Sequence, residues 1–105
     1  MAVKLKTFPV VTVTTPGIAK RLSETSVLVY SVSIQSIRAN TGYQYVGDSS
    51  VSSSKGYEFG PSDVAEIEPP TGTAGREPAQ IDLKDVYVDS TTANAEFRIA
   101  GWIRE

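Results

Sequence analysis

The feature that most constrains the fold of this chain is an alternation of apolar and polar side chains between residues 28 and 35. The two alternating sets are Leu28, Tyr30, Val32 and Ile34 on one side and Val29, Ser31, Ser33 and Gln35 on the other. Successive side chains of a β-strand point to opposite faces, so this period is typical of a strand. The segment therefore predicts a strand with an apolar face toward a core and a mostly polar face toward solvent.

The C-terminal segment shows the same period. The predicted inward set is Phe97, Ile99, Gly101 and Ile103, and the predicted outward set is Arg98, Ala100, Trp102 and Arg104. Tryptophan and arginine are residues that protein interfaces favour. The outward set therefore indicates a contact surface, although the stems of the arginines could instead simply cover Trp102.

Strand-like segments recur about every 8–12 residues along the chain and are separated by turn-forming residues. No segment places its apolar residues at helical spacing. The chain has 105 residues, which suits one domain. We therefore predict an all-β fold: a single-domain β-sandwich or small β-barrel, jelly-roll-like or immunoglobulin-like, with about eight short antiparallel strands.

Two segments depart from this pattern. Residues 1–15 predict an N-terminal arm or edge strand, because Pro9 has no N–H to donate to a neighbouring strand. Residues 16–105 are predicted to form the sandwich or barrel domain. Within it, residues 69–80 are rich in proline and glycine and have little to bury, which predicts a long flexible loop.

The composition argues against catalysis. The chain has no cysteine and no histidine, so it lacks thiol nucleophiles, cysteine metal ligands and the commonest general base. A serine nucleophile would need another base, and the spacing of Ser52 and Lys55 matches a Ser-x-x-Lys motif. The other motifs of such enzymes are absent, so we interpret the match as coincidence. We predict no enzyme, no catalytic residue and no cofactor.

Carboxylate pairs and clusters raise two further possibilities. Asp82, Asp85 and Asp89 could supply oxygen ligands to Ca²⁺, but the glycine and closing glutamate of a calcium loop are missing. Glu66 and Glu68 lie at strand spacing and could act as an acid–base pair, although a charged edge that prevents aggregation is the simpler interpretation. We therefore predict turn and edge residues here, and no metal site.

Charge and hydropathy limit the partners. The formal net charge is −2, and Lys20-Arg21 is the one pair of adjacent basic residues, so there is no basic stripe for nucleic acid. No apolar run is long enough for a membrane span, and the N-terminus lacks the pattern of a secretion signal. These features predict a protein made and used in a cytoplasm, or assembled there into a larger particle.

The run from Tyr45 to Gly56 resembles a segment of small tailed-bacteriophage virion proteins, with a strand, Val-Gly-Asp-Ser, a lone valine, a serine-rich turn and a glycine. The strands at 28–35, 85–89 and 97–104 are similar to strands of that group. The resemblance covers roughly residues 11–103. Residues 69–80 and the charged start of the chain depart from the group, and both could be contact arms.

The resemblance implies a head decoration or cement protein without an active site. It would bind the capsid surface of the virion, contact the major capsid protein and associate with itself, as a trimer. The candidate interface residues are Phe8, Val10, Arg98, Trp102 and Arg104. An alternative is a tail- or fibre-associated recognition module that binds another virion protein, or a glycan through stacking on Tyr43, Tyr45 and Tyr57.

Overall fold

The computed structural model describes residues 2–69 and 79–105. The strands are β1 (Val3–Val13), β2 (Lys20–Arg21), β3 (Leu28–Val29), β4 (Ser31–Ser36), β5 (Gln44–Gly47), β6 (Tyr57–Phe59), β7 (Val64–Ile67), β8 (Ile81–Asp82), β9 (Tyr87–Ser90) and β10 (Ala95–Arg104), and a 3₁₀ turn spans Leu83–Asp85. The predicted all-β fold is confirmed. The described residues form ten strands where about eight were expected, since segments as short as β3 and β8 have no period of their own.

The strands form two four-stranded antiparallel sheets and one small pair. The first sheet has the order β1-β10-β4-β7, the second has the order β2-β9-β5-β6, and β3 pairs with β8. The core lies where the two larger sheets face each other. Phe97 of the first sheet and Phe59 of the second meet there, with ring centroids 6.0 Å apart. The arrangement of the described strands is sandwich-like and does not close into a barrel.

Strand β1 lies at one edge of the first sheet, where it pairs with β10 alone. Its register shifts between Phe8 and Val11, so Pro9 and Val10 together stand opposite a single residue of β10. Such a bulge accommodates a proline, because the extra residue needs no ladder hydrogen bond. Of the predicted loop at 69–80, residues 70–78 lie outside the described part of the chain.

The inward and outward sets of β10 are as predicted, since Phe97 and Ile99 are buried while Arg98 and Trp102 are exposed. The prediction for residues 28–35 is wrong at its start. Leu28 is exposed, and Val29 is fully buried in its place.

The error comes from a break in the strand at Tyr30, which separates β3 from β4. Val29 points into the core from the small β3–β8 pair, and the phase then resets so that Val32 and Ile34 point inward from β4. One residue outside the ladder is enough to exchange the faces of a strand, because the side-chain period is two.

A substitution at Gly56 tests how tightly the backbone packs around β5. Its φ is +102°, and a β-carbon there would lie 2.5 Å from the carbonyl oxygen of Val46. We expect Gly56→Ala to lower the free energy of unfolding by about 3 kcal/mol, because it adds a backbone clash to the cost of the left-handed conformation. Urea denaturation followed by circular dichroism measures this change.

Gly17→Ala is the matched control for that variant. Gly17 also has a positive φ, +85°, but no atom lies within 4 Å of the position of its β-carbon. Only the conformational cost of about 1–2 kcal/mol then applies. Equal losses in the two variants would show that the contact with Val46 contributes nothing.

Candidate partner interface

The surface of the first sheet that points away from the second sheet is the candidate interface, and we call it the outer face. Directly opposite residues of antiparallel strands place their side chains on the same face. The register of the three strand pairs therefore defines this surface from the exposed residues of β10. Its members include Val3, Leu5, Thr7, Val10, Ser31, Ser33, Gln35, Val64, Glu66, Glu96, Arg98, Ala100, Trp102 and Arg104.

Five exposed apolar side chains lie on the outer face, in two groups. Val3, Leu5 and Trp102 form the first group, and Val10 and Val64 lie about four residues further along the sheet, on either side of Arg98 and Gln35. Leu5 stands directly opposite Trp102 in the ladder, and these two side chains are 56% and 46% exposed. Large apolar side chains that share one face and remain accessible are characteristic of protein contact surfaces. The core is filled by other residues of these strands, such as Ile99 of β10 and Val11 of β1, whereas the residues that alternate with Val3 and Leu5 are the exposed Lys4 and Lys6.

Four of the five candidate interface residues, Val10, Arg98, Trp102 and Arg104, come together on the outer face. Phe8 does not join them, because it stands opposite the buried Ile99 and packs against the core, reaching only the border of the face.

Sequence reasoning missed Val3, Leu5 and Val64 as members of this face. The signal for the first two was present, since Val3 and Leu5 alternate with Lys4 and Lys6 in the same period as a strand. The signal for Val64 was absent, because a four-residue strand reveals its face only through its neighbours.

Two shallow depressions adjoin on the outer face. The first, of about 420 Å³, is lined mainly by aliphatic groups and hydroxyls, and its lining includes Thr7, Val10, Ser33, Val64 and Ala100. The second, of about 430 Å³, has a polar lining that includes Arg38 and Ser62. Gln35 and Arg98 line both depressions, so the two lie side by side, and we call the pair the outer groove.

Comparison of the chain with protein-family models, with curated proteins and with solved structures finds no match. The described residues contain no helix with the length and apolar character needed to cross a membrane.

The aspartates that the sequence offers as calcium ligands do not form one site, because Asp82 and Asp89 accept hydrogen bonds from backbone amides of different segments. Asp89 is buried, and its Oδ1 accepts hydrogen bonds from the amides of Gly17 at 3.0 Å and Ser90 at 2.8 Å. Asp82 caps the 3₁₀ turn by accepting from the amide of Lys84, while Asp85 is exposed. No group of three or more potential ligands among residues 2–69 and 79–105 is placed to hold a metal ion.

Acidification offers a test of the cap at Asp82. A hydrogen bond of 2.5 Å from Ser26 Oγ, followed by those from the amides of Lys84 and Val27, lowers the pKa of Asp82 from its ordinary value of 3.8. A lowered folded-state pKa stabilises the fold above the unfolded pKa, and this contribution is lost as pH falls through the folded one. We expect the advantage in Tm of wild type over Asp82→Asn to shrink as the pH falls below the ordinary pKa of 3.8.

Asp85→Asn is the control for the acidification experiment, since Asp85 lies in the same turn with an exposed side chain. The difference in Tm between Asp85→Asn and wild type should change less over the same pH range. A constant difference between wild type and Asp82→Asn would contradict the assignment of the stabilising hydrogen bonds to the ionised carboxylate.

The remaining candidates are dispersed. Ser52 and Lys55 close a tight turn through backbone hydrogen bonds of 3.1 and 3.2 Å between them. Tyr43 and Tyr57 are exposed, but Tyr45 is only 5% exposed, and burial together with the neighbouring Glu58 raises the pKa of its hydroxyl. The three tyrosines therefore do not present one exposed stacking surface.

Proposed function

We propose that this protein binds other proteins through the outer face and that it decorates the head of a tailed bacteriophage. The observation that carries the proposal is the exposed apolar pair of the outer face, Trp102 and Leu5, which stand opposite each other on adjacent strands. The assignment to a phage head comes from the resemblance of residues 45–56 and of three strands to small virion proteins. The alternating pattern of β10 explains how the same strand both fills the core and presents the contact surface.

The physical case for binding is that the outer face is preorganised. Trp102 and Leu5 are held on paired strands, so little backbone ordering is required when a partner covers them. Tryptophan and arginine, both present here, are enriched among the residues that contribute most to binding. Arg98 and Arg104 project from the same strand as Trp102, where they can provide a polar rim around an apolar centre.

The partners in this proposal are the major capsid protein and further copies of the chain. A decorating protein stabilises a shell when one molecule contacts neighbouring capsid subunits at once, and association of the decorating copies multiplies these contacts. We propose a trimer as the associated state and the virion surface as its location, with assembly in the host cytoplasm. The proposal includes no catalytic step, no cofactor, no nucleic acid and no lipid.

The test uses heads purified from the encoding phage after deletion of this gene. The purified protein should co-sediment with these heads, saturate at a fixed ratio to the capsid subunit and appear as density on the outer shell in electron cryo-microscopy. Sedimentation equilibrium should show a trimer. Absence of binding to heads, or binding confined to tails, would overturn the head assignment, and a strict monomer at high concentration would overturn the associated state.

The glycan-binding alternative has weaker support, because Tyr45 is buried and cannot stack with Tyr43 and Tyr57 on a sugar chain. We therefore propose no second function.

A further inference from the structure

We propose that the outer groove binds an extended acidic segment of a partner protein, with an aliphatic side chain in the first depression and a carboxylate against Arg98 and Arg38. This inference rests on the proposed function for the identity of the partner, the capsid protein. The chemistry of the bound segment follows from the groove itself.

The polar half of the groove contains two arginines that form no ion pair with a described carboxylate. Arg38 and Arg98 both line it, and no acidic residue does. Within the described ranges the ion pair that forms is between Lys20 and Glu24, and Glu96, which shares the exposed face of β10 with Arg98, does not pair with it. Guanidinium groups bind carboxylates through paired, charge-assisted hydrogen bonds. Two of them on one depression therefore select an acidic group, although the chain has a net charge of −2.

The other half of the groove selects an aliphatic group. Val10 and Val64 are each 52% exposed and border the same depression as Ala100. The two valines lie on the edge strands β1 and β7, with Arg98 and Gln35 between them. A partner aliphatic side chain that packs against either valine would remove exposed apolar surface from water, which favours binding. The hydroxyls of Thr7 and Ser33 beside them can form hydrogen bonds with a backbone.

The position of the two halves side by side favours an extended occupant. Gln35 and Arg98 border both depressions, so a chain that passes over these two side chains reaches both halves. In an extended chain, residues i and i+2 point to the same side about 6.8 Å apart. An aliphatic residue and a glutamate or aspartate two positions apart fit this arrangement. Single-stranded nucleic acid fits less well, because no aromatic side chain lines the polar half and two arginines make no continuous basic track.

The experiment is a titration of ¹⁵N-labelled full-length protein, observed in amide and arginine Nε–Hε spectra. The probe is the peptide acetyl-Ser-Val-Ser-Glu-Ser-amide, and the matched probe replaces its glutamate with glutamine. We expect the acidic peptide to move the signals of Arg38, Arg98 and Val64, with an affinity at least about tenfold above that of the glutamine peptide. Arg98→Gln and Arg38→Gln should reduce the affinity for the acidic peptide by a similar factor, whereas the exposed Lys55→Gln should not.

Three results would overturn the inference. They are unchanged chemical shifts with the acidic peptide at several millimolar, equal affinity for the two peptides, and tighter binding of a thymidine oligonucleotide than of the acidic peptide.

Binding to heads distinguishes a failure of this inference from a failure of the proposed function. An Arg38→Gln, Arg98→Gln double variant that decorates heads as well as wild type would overturn the groove alone. If the protein binds the acidic peptide specifically but does not bind heads, peptide binding in the outer groove would be supported and the assignment to the capsid would be overturned.

Discussion

Replacement of Trp102 by alanine should weaken binding to undecorated heads at least about thirtyfold, since a buried aromatic anchor at an interface contributes about 2 kcal/mol or more. Trp102 is the one tryptophan of the chain, and in the free protein 46% of it is exposed beside Leu5. A partner that covers this pair would remove the exposed remainder from water. The dissociation constant from co-sedimentation over a range of protein concentrations measures the effect.

Tyr57→Ala is the matched control for Trp102→Ala. Tyr57 is also aromatic and is 73% exposed, but it lies on β6, at an edge of the second sheet. Its loss should leave binding to heads unchanged. Both variants should unfold within about 1.5 kcal/mol of wild type, because neither side chain is buried in the core. Equal weakening of binding by the two substitutions would contradict the assignment of the interface to the outer face.

Gln44→Ala should lower the free energy of unfolding by about 3–4 kcal/mol, the largest stability change that we expect from a polar residue here. Gln44 is fully buried on the core side of β5. Its Oε1 accepts a 2.7 Å hydrogen bond from Ser36 Oγ of the first sheet, and its Nε2 donates to the carbonyl of Thr41 at 3.0 Å. Alanine would leave the buried hydroxyl proton of Ser36 without this acceptor, would remove one of the two donors to the carbonyl of Thr41, which Thr92 Oγ1 also contacts, and would open a cavity. Urea denaturation measures the loss.

Two comparisons separate the causes of that loss. Gln44→Met retains most of the side-chain volume and removes the hydrogen bonds, so it should still lose about 2 kcal/mol. Gln80→Ala removes an exposed glutamine and should change stability by less than about 0.5 kcal/mol. A Gln44→Met variant as stable as wild type would show that packing alone, and not the hydrogen bond between the sheets, makes Gln44 important.

The buried polar residues show where reasoning from the sequence ends. Asn40 and Gln44 occur in a polar segment that predicts a turn and the start of a strand. In the fold, Asn40 Nδ2 donates to Ser36 Oγ at 2.9 Å and to the carbonyl of Glu96 at 2.8 Å, which fastens the turn to β4 and β10. Ser36 lies only four residues from Asn40 and eight from Gln44, but no local pattern distinguishes these residues from solvated ones, because their burial depends on the packing of the second sheet and of β10 against this segment.

Asp89 illustrates the same limit. Its place in the sequence beside Asp82 and Asp85 suggests a calcium ligand, but it is only 2% exposed and accepts a hydrogen bond from the amide of Gly17, which is 72 residues earlier in the chain. The aspartates are close in the sequence, but they do not form one site in the structure. Asp82 accepts hydrogen bonds from the amides of Val27 and Lys84, whereas Asp89 accepts hydrogen bonds from the amides of Gly17 and Ser90.

The sequence by itself determined the all-β class and the outward position of Arg98, Trp102 and Arg104, because strand alternation is a local property with a period of two residues. Only the tertiary structure decided which strands are neighbours, and with them the placement of Leu5 opposite Trp102 and the proximity of Val64 and Arg38 to Arg98. Those contacts depend on pairing between segments far apart in the chain, and that pairing is selected by the packing of the whole core, which no single segment encodes.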